Sequence, residues 1–242
     1  IGIQTQEIAL IEFIEPDIDI NDASIKILNG ENPSTEDKSI IRIKKYFESE
    51  FKRYSGNENN IINITPIGPF KLKEKFDHPK DFLSKALFMS LLKKLSFLNR
   101  INFTNYDGAI FIFMQSNGKD VIRPGRISRF FINEPSSYLF LRTSQKDLDE
   151  SILLITHEIA HIFGAQDKYK RKGSPLYPYG YINPFQRPLY PQNSGEIMSL
   201  AIPLTENNFK ESKLLSDYEI GAKTAYELGW ISKTNMKRYY RK

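Results

Sequence analysis

The sequence predicts an α+β fold in which a mixed, twisted sheet is backed by two helices and a third helix leads into an irregular C-terminal part. Three observations predict it. Short apolar, β-branched-rich runs are interleaved with longer segments of helical periodicity over residues 4 to 143. A later helical segment, ending near Phe163, places two histidines on one face. Beyond it, Lys168 to Gln192 is a long irregular stretch rich in Pro and Tyr, a kind of loop that is usually functional or mobile.

Gln4 to Ile14 reads as a strand that ends at Glu15-Pro16. Pro33-Ser34-Thr35-Glu36 marks a helix start, with Ile40, Ile43, Phe47, Phe51 and Tyr54 three or four apart, so one face packs on a sheet. Ser55 to Asn60 is a polar loop, and Ile61 to Ile67 a strand limited by Pro66 and Pro69. Pro79 opens a second helix with Leu83, Leu87, Leu91, Leu95 and Leu98 in register, apolar enough to be largely buried. Tyr106 to Gln115 suits a central strand covered on both faces. Two more strands, Arg126 to Asn133 and Ser137 to Thr143, flank the turn Glu134-Pro135-Ser136.

The third helix runs from about Lys146 to Phe163, with Asp147, Asp149 and Glu150 in its first turn, where the helix dipole favours negative charge. Leu148, Ile152, Ile155, Ile159 and Ile162 form its core face. Ser216-Asp217-Tyr218-Glu219 has the pattern of a capping box and opens a last helix ending at Leu228-Gly229. There are no internal repeats and no low-complexity segments.

With 242 residues, 40% of them apolar and 26% charged, the chain can bury a substantial core as one domain or as two lobes sharing a cleft. No apolar run approaches the roughly 20 residues that span a bilayer, so no transmembrane segment is expected. The absence of cysteine excludes disulfides and thiolate metal sites. The net charge of +5 is dispersed, with clusters only at residues 168–172 and 237–242, of which the second reads as a solvated terminus, so no nucleic-acid partner is expected. The chain opens on Ile with no charged-then-apolar leader, which suggests removal of an N-terminal segment.

The stretch with chemical content is His157-Glu158-Ile159-Ala160-His161-Ile162-Phe163-Gly164-Ala165-Gln166-Asp167. Histidines at i and i+4 share a helix face, so His157 and His161 can offer ring nitrogens to one zinc ion. Glu158 projects to the side where water would sit. Gly164 readily takes a left-handed conformation, so the helix can stop there and the chain can double back to bring Asp167 in as a third ligand. Three protein ligands leave a fourth position open, the mark of a catalytic rather than a structural zinc site. The remaining histidine, His78, stands in a Phe-Asp-His-Pro turn far upstream and reads as a surface residue.

His157 to Asp167 resembles the extended HExxHxxGxxD motif of metzincin-type zinc metalloproteases, in the branch with aspartate as third ligand, as in snapalysin and the immune inhibitor A family. Most metzincins carry a third histidine at that position. Ser194-Gly195-Glu196-Ile197-Met198-Ser199 is similar to the tight turn those enzymes place beneath the metal, with Met198 as its methionine. The specific resemblance covers residues 157–199; upstream it rests on element order.

It implies a zinc-dependent endopeptidase that hydrolyses peptide bonds by a zinc-activated water, with Glu158 as general base and then general acid. It also implies one catalytic domain with subdomains 1–164 and 165–242, a protein or peptide substrate paired to an exposed strand edge, and an extracellular or cell-surface location. The tyrosine that some metzincins use for the oxyanion just after the methionine turn is missing, since Ser199, Leu200 and Ala201 stand there. Tyr179, Tyr181 and Tyr190 are substitutes. A second, Ca2+ site near Asp167-Lys168-Tyr169 would draw on Asn183, Asn193 and Glu196.

The competing reading is a zinc-binding but proteolytically inactive surface protein on the same frame. Retention of Glu158 argues against it, because a structural site needs no base. A hydrolase acting on something other than a peptide is excluded only by the resemblance.

Overall fold

A computed structural model describes residues 4–19, 39–75, 79, 81–115, 122–127, 135–142, 148–170 and 173–240. They form two compact units, one gathering residues 4–44 with 62–151 and the other residues 45–61 with 152–242.

The first unit is built on β1 (Gln6–Ile14), β2 (Ile62–Lys71), β3 (Gly108–Gln115), β4 (Ile122–Ile127) and β5 (Ser136–Arg142). Their order is β2-β1-β3-β5-β4. All neighbours run parallel except β4, which pairs antiparallel with β5, so the sheet is mixed and mostly parallel. The predicted strand Arg126 to Asn133 overlaps β4 only at residues 126 and 127, and among the described residues β4 is the edge and β5, the predicted Ser137 to Thr143, is interior. β3 lies at the centre with its first seven residues buried, as a run apolar on both faces requires.

β2 runs through Pro66 and Pro69 instead of stopping at Ile67. Among the described residues it is the other edge strand, bonded to β1 alone, a place where a proline's missing N–H need not break a ladder bond.

Helix α1 spans Ser39–Ser55, α2 spans Phe82–Leu98 and α3 spans Leu148–Ile162. Phe88, Met89 and Leu92 of α2 join Phe13, Phe111, Phe113, Tyr138 and Phe140 of the sheet in one core. Each buried phenylalanine contributes about 1.5–3 kcal/mol.

Of the leucine register predicted for α2, Leu91 and Leu95 pack partly buried against that core, whereas Leu83, Leu87 and Leu98 are 68%, 64% and 62% exposed. The helix is apolar almost all round, so periodicity could not choose its buried face, and the aromatic packing on the sheet did. Asp81 caps it by accepting from the Ser84 N–H while the Ser84 hydroxyl accepts from the Asp81 N–H.

The helix start at Pro33–Glu36, His78, Lys146-Asp147, Thr143 and the strand segment 128–133 lie outside the described residues.

In the second unit, Phe47 and Phe51 of α1 pack on Trp230, and Phe47 also meets Phe163. Buried Glu50 accepts the Ile220 N–H at 2.6 Å, while Arg53 and Tyr54 donate to the Ile220 carbonyl. The remaining strands are short: β6 (Gly195–Glu196) with β9 (Tyr218–Glu219), and β7 (Ile202–Pro203) with β8 (Phe209–Lys210).

Ser216 to Glu219 does not cap a helix. Tyr218 and Glu219 pair with β6, Asp217 accepts from the Ser212 hydroxyl and Glu219 from the Ser194 hydroxyl, so tertiary partners take up the groups a cap would use. Helix α4 starts later, at Ala222–Glu227.

The C-terminal segment, read as a solvated basic tail, forms α5 (Lys233–Tyr239) with Ser232 as N-cap and Met236 buried. Among the described residues no helix is long and apolar enough to cross a membrane.

Candidate metal centre

α3 buries Ile152, Ile155, Ile159 and Ala160 completely, and this packing fixes which way its other faces point. The helix ends in a full Schellman motif: Gly164, with φ of 104°, donates to the His161 carbonyl, and Ala165 to that of Ala160. Glycine is needed for that φ, and the reversal brings Asp167 back over the helix end.

The rings of His157 and His161 lie 4.5 Å apart and nearly perpendicular. Each Nδ1 faces a carbonyl, His157 that of Ile197 at 3.0 Å and His161 that of Ala165 at 2.8 Å. An Nδ1 facing a carbonyl carries the hydrogen, so each neutral ring presents a bare Nε2.

Asp167 Oδ1 stands 2.9 Å from His161 Nε2 and 3.4 Å from His157 Nε2. Three acceptors facing one another repel unless a cation or a proton lies among them. Donor atoms of His157, Glu158 and His161 all lie within 4.8 Å of one another, a group able to hold a metal ion. Two imidazoles and a carboxylate suit zinc chemically.

Electrostatics of the ion-free centre follow from the same contacts. Burial opposes charge on His157, but Asp167 and Glu158 raise its pKa overall. Burial likewise pushes Asp167 up, and the two imidazoles outweigh it, holding the carboxyl well below the usual range. Glu158 is buried, with Oε1 3.9 Å from His157 Nε2 and Oε2 without a hydrogen-bond partner among the described residues. An orphaned carboxyl oxygen beside such a group is placed to meet water.

Met198 is fully buried in a turn whose main chain touches the centre twice. The Ile197 carbonyl takes the His157 Nδ1, and the Met198 carbonyl accepts the N–H of Lys168, the residue after Asp167. Neither contact leaves a signal in the sequence, because both are made by backbone.

Glu196 holds this turn. It is 0% exposed, and its carboxylate accepts from the N–H groups of Met198 and Gly221 and the Thr224 hydroxyl. It is therefore engaged within the protein and is not an open calcium ligand. Asn183 is tied through its backbone to the Gln192 side chain, and Asn193 is exposed.

Burial pushes the Glu196 carboxyl up from 4.5 to about 7, against the pull of Thr224, Lys168 and the two N–H groups. The folded state then binds more protons than the unfolded one between those values, so this group's contribution to stability falls as pH rises from about 4.5 to about 7. In metal-free protein, the melting temperature of Glu196→Gln relative to wild type is expected to rise from pH 5 to pH 8. A difference that stays flat or falls contradicts this.

The long loop is ordered by glutamines. Buried Gln192 bonds Asn183 and the Leu189 carbonyl, and Gln186 reaches the Leu189 and Pro191 carbonyls. Tyr181 and Tyr190 hydroxyls lie 3.2 Å apart, while the half-exposed Tyr179 ring packs edge-on to Tyr240. The three tyrosines named for the oxyanion thus stand in two separate aromatic contacts.

No protein-family model and no curated protein sequence matches the chain. Among solved structures, one of wild-type OgpA from Akkermansia muciniphila aligns over 93% of this chain and 61% of its own, with TM-score 0.46 and 12% identity. Catalytically inactive OgpA in complex with an O-glycopeptide substrate, glycodrosocin, aligns over 70% of this chain and 51% of its own, with TM-score 0.41 and 10% identity. A chaperone–substrate complex aligns over 97% of this chain and 35% of its own, with TM-score 0.41 and 12% identity. The chain thus spans less than two thirds of the length of each of these structures.

Proposed function

We propose that the protein is a zinc-dependent endopeptidase of metzincin type. The observation that carries this reading is the convergence of two carbonyl-anchored imidazoles and the Asp167 carboxylate beside Glu158 Oε2, which has no hydrogen-bond partner among the described residues. A structural site would have no use for that last atom.

On this reading His157, His161 and Asp167 hold the ion, and Met198 lies in the supporting turn. Bound zinc would supply Lewis-acid polarisation of the scissile carbonyl and acidification of water. Glu158 accepts the proton of the attacking water and passes it to the leaving amine. On this reading the side-chain donor to the carbonyl oxygen as it gains charge would come from one of Tyr179, Tyr181 and Tyr190. Division into subdomains 1–164 and 165–242, and action outside the cell or at its surface, belong to the same reading.

The test is digestion of casein by the protein as purified, after chelation, and after zinc is restored, with metal content measured in each sample. Stoichiometric zinc, cleavage lost on chelation and cleavage regained with zinc are expected. Cleavage indifferent to the chelator overturns the reading, and stoichiometric zinc without cleavage favours the inactive binding protein.

A further inference from the structure

We propose that the buried ion pair between Lys168 and Glu227 is a positioning pair for Asp167, fixing the carboxylate that completes the metal site. The inference rests on the reading of Asp167 as third ligand.

Lys168 Nζ lies 2.6 Å from Glu227 Oε2, with the two side chains only 4% and 9% exposed. A charged pair that deep is weak evidence for stability, because desolvation offsets the attraction. What distinguishes it is where the remaining bonds go. Gln166, the residue before Asp167, donates its N–H to Glu227 Oε2 at 3.0 Å, and its carbonyl accepts from Lys168 Nζ. Both peptide groups of Gln166 are thereby held by the pair. Lys223 Nζ lies 3.1 Å from Glu227 Oε1 and orients the carboxylate from the other side.

On the far side of Asp167, the Lys168 N–H is held by the Met198 carbonyl at 2.8 Å, and the Lys168 carbonyl accepts from Leu176 at 2.7 Å. Asp167 follows the helix-ending Gly164 by three residues and its side chain is 40% exposed. Packing around it is therefore thin, and its direction is set by the main chain on either side. Helix α4 supplies Glu227 from its last turn, so a segment remote in sequence aims the ligand.

Zinc affinity, measured by competition with a chromophoric chelator, tests this in wild type, Lys168→Met, Glu227→Gln, Asp167→Ala and Asp167→Ala/Glu227→Gln. Melting of each metal-free variant is followed alongside. Glu227→Gln keeps an acceptor for the Gln166 N–H, and Lys168→Met keeps the aliphatic stem.

Each of these two is expected to weaken zinc binding by about tenfold or more, as loss of groups supporting a metal ligand does. In the Asp167→Ala background, Glu227→Gln should change affinity by less than about threefold, because the group it positions is gone. The same loss in both backgrounds would make the pair merely structural and overturn the proposal.

Unchanged affinity in Lys168→Met and Glu227→Gln, with weakened binding in Asp167→Ala, overturns the proposal while leaving the third-ligand reading intact. Unchanged affinity in Asp167→Ala overturns both. Should Glu227→Gln fail to fold, Lys168→Met, alone and with Asp167→Ala, decides by the same criteria.

Discussion

Replacement of Glu158 by glutamine is expected to lower peptide cleavage by about 10²- to 10⁴-fold while leaving zinc content unchanged. The residue sits beside His157 but is not needed to hold the rings, which are anchored through Nδ1 by the Ile197 and Ala165 carbonyls. Its Oε2 is buried and has no partner among the described residues. A buried carboxyl oxygen left unsatisfied destabilises a fold by about 1–3 kcal/mol, so the amide should melt no lower than wild type in the metal-free state. The pairing of these outcomes is the informative part: activity collapses while stability and zinc hold. Cleavage within tenfold of wild type, measured as kcat/KM on an unstructured protein, would remove Glu158 from the chemistry.

Gly180→Ala is expected to cost about 3 kcal/mol and lower the melting temperature by about 10 °C. A Cβ there would stand 2.5 Å from the Lys168 carbonyl oxygen and 2.8 Å from the Leu176 nitrogen, both backbone atoms. The same two atoms bond each other at 2.7 Å, so neither can give way without opening that crossing. Lys168 is the neighbour of Asp167, and a shift of its peptide should also weaken zinc binding by about tenfold. A variant that melts with wild type and binds zinc equally well would show that the loop accommodates the methyl group.

Features set by local geometry were legible in the sequence. The i, i+4 spacing of His157 and His161 and the left-handed Gly164 each depend on a single helix and its end. The apolar runs of β1 and β3 likewise declare strands, and that of β3 a strand buried on both faces.

What was not legible depends on neighbours brought from elsewhere. α2 is apolar almost all round, so the aromatic surface of the sheet decides that Phe88 and Met89 turn inward and Leu83 and Leu87 outward. Pro66 and Pro69 stop a strand only if both its edges are bonded, and edge status is a property of topology. Ser216 to Glu219 has the composition of a helix cap, yet pairing with Gly195–Glu196 claims it. In the candidate centre, the histidines, Glu158 and Asp167 announce themselves. Ile197, Lys168, Glu196 and Glu227 do not, because Ile197 acts through its carbonyl and the other three through partners far away in the sequence.

The turn at residues 196–199 has a consequence for how freely such a centre can drift during evolution. Its two contacts, from the Ile197 and Met198 carbonyls, are offered by every amino acid alike. Substitutions that preserve the turn's path therefore leave the grip on His157 and Lys168 untouched. Nearly every side chain around the candidate centre could be exchanged with the same backbone grip kept, which leaves a short string of histidines and acids as the part of the site written in the sequence.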